Sequence, residues 1–232
     1  MLYCGVDVGP EFHHLCALEE VVVDEPPVRL QATFFEPGST DAIVRQVLAL
    51  DETVVAIAAP RTEPPRACDT DLEFRGVPSQ RFLPEGPRLF DGLSPRGIYT
   101  PPEGAAPGPV AEGAYGAAAA FETNVEGVFC ALQGHRLPAR RHPLGIQRRI
   151  EELTNDHVID PSGDLWLRRI EEIEAAAAAL TAHRYAVGHA SWVGDPREGV
   201  IVLPGTSLPG RFSSEGVIPP MPRAPLLNPD AA

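Results

Sequence analysis

Lysine is absent from this 232-residue chain, so all 19 basic residues are arginine, set against 32 acidic residues for a formal net charge of −13. Such an excess argues against a generic nucleic-acid binder, because affinity for a phosphate backbone rests on positive charge. A local basic patch stays open. Cysteine is scarce: Cys4, Cys16, Cys68 and Cys130 include no CxxC pair, and no histidine completes a zinc pattern. They read as small buried hydrophobes of a reducing compartment. No apolar run approaches the roughly 20 residues that span a bilayer. No basic stretch followed by an apolar one opens the chain. A soluble, cytoplasmic protein with no membrane partner is expected. There is no Walker-type glycine loop, and no Ser-His-Asp or Cys-His order stands out.

What is present reads as one α/β domain over residues 1–205, with an irregular Pro/Gly-rich insertion at about 60–110 and a loose tail over 206–232. Residues 2–8, 13–23 and 28–35 read as three strands joined by turn residues, an antiparallel meander. "STDAIVRQVLAL" then reads as a helix, and "TVVAIAAP" as a buried central strand. Within the insertion, "RACDTDLEFRG" suits one short helix. A strand runs through Phe121-Glu122-Thr123, followed by helices over "VEGVFCALQ" and from about Leu144 to Asn155. The strongest helix spans 164–187, with Ser162 as N-cap and Gly188 just past its end. Its expected buried stripe is Trp166, Ile170, Ile173, Ala177 and Leu180, with Glu174 at the border and Glu171 beside it at i,i+3. "GVIVLP" is a last strand.

Asp7 interrupts an otherwise apolar first strand, "LYCGVDVG". A buried carboxylate is costly unless it is paired, hydrogen-bonded or metal-bound. One reading puts Asp7 at the strand's end against backbone amides. The other makes it a ligand of a divalent metal, collecting acids from distant parts of the chain; Glu122 and Glu174 are the natural companions. Such a cluster suits phosphodiester hydrolysis with Mg²⁺ or Mn²⁺. Arg136, Arg140, Arg141, Arg148 and Arg149 form the dense basic stretch, either a nucleic-acid contact or a solvated helix face paired with Glu151 and Glu152. No aromatics are interleaved with these arginines, so single-strand stacking finds little support. His13 and His14 follow the first turn, and alternation points one of them inward.

Five spaced segments carry a family resemblance: "GVDVG"; "AIAAPRT" with "RACD" after it; "FETNVEGVFCALQG"; "PLGIQRRIEEL"; and "IEAAAAALTAHRYAVGHASWVGDPREGVIVLP". Together they resemble the domain of unknown function 429 family, predicted nucleases with a ribonuclease H-like fold. "GVDVG" alone also resembles the opening of actin-like phosphotransferases, but a second phosphate loop and an adenosine motif are missing. The resemblance implies a mixed sheet flanked by helices, and puts metal-binding, catalytic roles on Asp7, Glu122 and Glu174. Arg66, Cys68 and Asp69 match the family's "R-x-C-D", which suits Arg66 to a phosphate or to an ion pair with Asp69. Three positions depart from the pattern. Glu174 replaces an aspartate, Val125 a proline, and Ala58 a strand-end aspartate. Glu63 is a candidate substitute for the acid missing at Ala58. The implied function is a metal-dependent nuclease impaired by Ala58, or a degenerate member that binds a partner without catalysis.

Overall fold

Seven residues, Leu2–Val8, form the central strand β1, whose two faces meet different layers. β2 (His13–Val21) and β3 (Arg29–Phe34) complete the meander, followed by α1 (Thr40–Ala49) and the wholly buried β4 (Thr53–Ala58). Next come α2 (Ala67–Phe74), α3 (Glu85–Leu93), β5 (Gly108–Pro109), β6 (Ala120–Glu122), α4 (Val125–Gln133) and α5 (Pro143–Asn155). β7 (Val158–Ile159), α6 (Ile170–Ala186), β8 (Ala190–Asp195) and β9 (Gly199–Pro204) end the order. The computed structural model describes residues 1–22, 28–110 and 119–214. The expected tail therefore lies, from residue 215 on, outside the described residues, as does residue 23, the last of the second expected strand.

The strands form one sheet in the order β5-β8-β9-β6-β4-β1-β2-β3-β7. β1, β2 and β3 are antiparallel neighbours, while β4 runs parallel to β1 and β6 parallel to β4. This antiparallel meander continued by parallel strands is the ribonuclease H-like arrangement that the family resemblance implied. Residues 60–110 are more regular than expected. α2 falls where one short helix was read, but α3 was not anticipated. Its Leu89, Phe90 and Leu93 bury one side of a helix among prolines and glycines. β8 was missed as well, because "ASWVGD" is short and partly polar.

α6 is shorter than the helix read from sequence. It starts at Ile170, capped through the Arg169 amide donating to Glu172, and a separate short 3-10 turn holds 165–167. Ser162 is no N-cap; its amide binds Asp160 instead. Trp166, placed in the expected stripe, is 54% exposed. Gly188 does follow the helix with φ 78°. Residues 173–183 of α6 are buried on every side. The helix lies between the sheet and α4 and α5, so a one-sided stripe would not suffice.

The alanine run allows this burial because it lets the helix come very close. A Cβ on Gly5 of β1 would lie 2.1 Å from both the Ala175 carbonyl oxygen and the Ala179 amide nitrogen. Backbone meets backbone there, and no side chain fits between them. Gly5→Ala is expected to destabilise the protein by about 3 kcal/mol, at the upper end for overpacking a core. The midpoint of urea unfolding measures this.

Candidate functional site

The parallel strands β1 and β4 end side by side, with Asp7 and Ala58 as register partners. Residues paired across strands point to the same face. That face is the one α6 covers, and the second turn of α6 brings Glu174 over Asp7. Glu171 lies one turn earlier on the same side. The link between α4 and α5 supplies Arg140. These residues line an open cleft of about 530 Å³, at the carboxyl ends of the strands where α/β sheets commonly carry their sites.

One guanidinium nitrogen joins the acids. Nη2 of Arg140 donates to Oε2 of Glu174, and lies 3.9 Å from Oδ2 of Asp7 and 3.5 Å from Oε1 of Glu171. The Glu174 and Asp7 side chains are only 8% and 13% exposed, whereas Arg140 is 42% exposed. Burial pushes the Asp7 carboxyl up to about 7, against the opposing pull of Arg140 and with added repulsion from Glu171. Burial, then repulsion from Asp7, pushes Glu174 up to about 8, again opposed by Arg140. Two carboxylates in little water thus share one positive charge that does not fully offset their desolvation.

Glu122 does not join them. Its register partner on β4 is Ile57, the residue before Ala58, so it points to the opposite face of the sheet. There it accepts 2.6 and 2.7 Å hydrogen bonds from Arg66 and a 2.9 Å bond from the Arg61 amide. Arg66 also donates to both oxygens of Asp69 at 2.8 and 2.9 Å. Burial raises the Glu122 pKa, while Arg66 and the Arg61 amide oppose it. Arg66 is 4% exposed, so its fork is spent on holding α2 against β6 and no donor faces the cleft. The "R-x-C-D" pattern is a buried ion triad with Glu122. The alternative of a surface pair with Asp69 had the right partner at the wrong depth.

The other sequence candidates scatter. Glu63 is exposed and does not line the cleft. Arg141 reaches Glu171 at 3.5 Å on the cleft rim. Arg148 pairs with Glu151 at 2.9 Å on the exposed side of α5. Arg149 is fully buried, donating to Glu126 and to the Pro138 and Gly145 carbonyls. The dense basic stretch is therefore not one face. His13 points inward and its Nε2 meets Thr40 Oγ1 at 2.9 Å; His14 is the cross-strand partner of Asp7. Sequence reasoning missed that Arg140 turns toward the acids, and that Glu126 and Asn124 line the cleft. Asn124 caps α4, accepting from the Gly127 amide at 2.8 Å. The signal was present in "ETNVE", an Asn-led helix start with an acid in its first turn.

No family model matches the chain, and no curated protein matches it. Among solved structures it is similar to that of Thermus thermophilus RuvC, at 15% identity and a TM-score of 0.42 over 81% of this chain and 95% of that one. Among the described residues, no helix is long and apolar enough to cross a membrane. None of their His, Cys, Asp or Glu side chains gather in threes to hold a metal ion. The cleft does offer oxygen donors of the kind Mg²⁺ accepts, since that ion takes one or two carboxylates and completes its shell with water and phosphate. Asp7 and Glu174 fit that demand for one ion. The Ala58 methyl contributes nothing toward a second.

Two outcomes are expected. Both cleft acids have folded-state pKa values above the ordinary carboxylate range near pH 4. The folded chain then holds more protons than the unfolded one between that range and pH 7–8. Their contribution to stability is full below it and is lost as pH rises. In metal-free buffer the urea midpoint falls between pH 5 and pH 8, and Asp7→Asn flattens that fall. Arg66→Met, which strands Glu122 and Asp69, costs about 3–5 kcal/mol by the same measurement.

Proposed function

We propose that the chain is a member of the domain of unknown function 429 family and a metal-dependent nuclease, with Asp7 and Glu174 holding one Mg²⁺ or Mn²⁺ at the end of the central strand. The observation that carries this reading is the meeting of two largely buried carboxylates, far apart in the sequence, around one cationic group. Such a pair is costly without a counter-charge, and a divalent ion supplies one. When bound, the ion activates water and stabilises the leaving oxygen of a phosphodiester. Glu171, at the rim beside Arg140, would orient water or phosphate near such an ion. Arg140 and Arg141 face the same cleft and are suited to the scissile phosphate. Asp7 and Glu174 are thus the catalytic pair, and Glu122 is a structural partner of Arg66.

A second reading has its own support. Ala58 removes a ligand from the strand end, and Arg140 already stands beside both acids. Both features favour a member that binds nucleic acid without cleaving it.

Labelled single- and double-stranded DNA and RNA, incubated with Mg²⁺ or Mn²⁺, separate the two. Ion-dependent cleavage that Asp7→Asn and Glu174→Gln each lower by at least about a hundredfold, the scale of losing one electrostatic stabiliser, supports the nuclease. Cleavage undiminished by Asp7→Asn sinks the assignment. Binding without cleavage, at equal affinity in wild type and Asp7→Asn, supports the second reading.

A further inference from the structure

Arg140 stands among the cleft acids, where a metal ion would be needed. Its Nη2 is shared among Glu174, Asp7 and Glu171. Its Nε is buried and has no hydrogen-bond partner. The Nε of Arg149 is unpartnered too, so the difference lies in anchoring and depth: Arg66 and Arg149 are almost wholly buried and held through more than one nitrogen by carboxylates or carbonyls. Arg140 is half-exposed, holds the acids through one nitrogen, and lies on a loop rather than within a helix. Leaving the acids would strand no other bond of its side chain.

We propose that Arg140 is a displaceable internal counter-ion, which neutralises Asp7 and Glu174 in the ion-free protein and competes with a divalent cation for them. This rests on the reading that the cleft holds a cation. The two cations are mutually exclusive at Oε2 of Glu174, because one oxygen pointing at a guanidinium cannot also complete a tight ion shell without moving it. An incoming ion therefore releases Arg140 into the open cleft. The arginine is freed in the presence of the ion, beside the place a phosphate would occupy. The device couples ion binding to the appearance of an anion-binding group, and it lowers the apparent affinity for the ion by the cost of displacement.

The test is Mn²⁺ binding to the whole protein, followed by titration calorimetry and by the electron paramagnetic resonance signal of free Mn²⁺. Arg140→Ala is expected to bind Mn²⁺ at least about fivefold more tightly than wild type, the lower end of typical coupling between two ligands. Arg148→Ala removes an equal charge outside the cleft and is expected to shift the affinity less than twofold. If the alanine variant does not fold, Arg140→Gln keeps the stem and a donor and is expected to change affinity in the same direction. Equal or weaker binding in the folded variant, or no binding in either protein, overturns the competition. Nuclease activity does not enter this measurement. Tighter binding without cleavage in any protein keeps the counter-ion and removes the nuclease reading; cleavage by wild type with no gain on removing Arg140 does the reverse.

Discussion

The approach of α6 to β1 is the constraint on which the rest of the molecule depends. A helix normally packs on a sheet across a layer of side chains; here Gly5 and the alanines of α6 remove that layer at one point. Two consequences follow from the same contact. The helix sinks deep enough for α4 and α5 to cover its outer side, which makes its middle buried all round. And the carboxylate of Glu174, next in sequence to the Ala175 contact, is carried onto the end of β1 beside Asp7. A bulkier helix would sit farther from the sheet, and the two acids would lie apart in water, each at its ordinary pKa.

Burial at that point sets the chemistry. A carboxylate loses hydration when it enters a protein, and a second one nearby adds repulsion. Both effects act on Asp7 and Glu174, and Arg140 offsets part of them. On the other face of the same sheet, Glu122 faces a similar loss of hydration with a different remedy. Arg66 meets it with two hydrogen bonds, Asp69 braces Arg66, and a backbone amide from Arg61 completes the set. One arrangement is saturated by hydrogen bonds within the protein. The other is under-compensated and open to the cleft.

Much of the architecture was legible in the chain. The meander, the crossover helix and the apolar β4 follow from turn residues and from runs whose length and composition suit strands. The acids were legible as residues that a buried strand and a packed helix would not carry without cause. What the sequence could not show is which face of the sheet each acid occupies. That depends on register, and a one-residue step inverts it. Asp7 pairs with Ala58 while Glu122 pairs with Ile57, so two acids at the ends of the parallel strands on either side of β4 look in opposite directions. Arg140 was visible only as one arginine among five. Its direction is set by the path of the link between α4 and α5, which has no periodicity to read. Trp166 failed for a related reason: the helical period was extended one turn back through residues that form a separate turn.

Ala58 and Arg140 are best understood together. A strand-end aspartate at position 58 would point to the same face as Asp7, since the two are register partners. Three carboxylates would then crowd the cleft under α6, and a single guanidinium could not offset them; only a divalent charge would serve. With a methyl group at 58 the cleft holds Asp7, Glu174 and the rim acid Glu171, and one arginine offsets part of their charge. Alanine at 58 and Arg140 thus act in the same direction: fewer charges to bury at the strand ends, and one guanidinium set among those that remain.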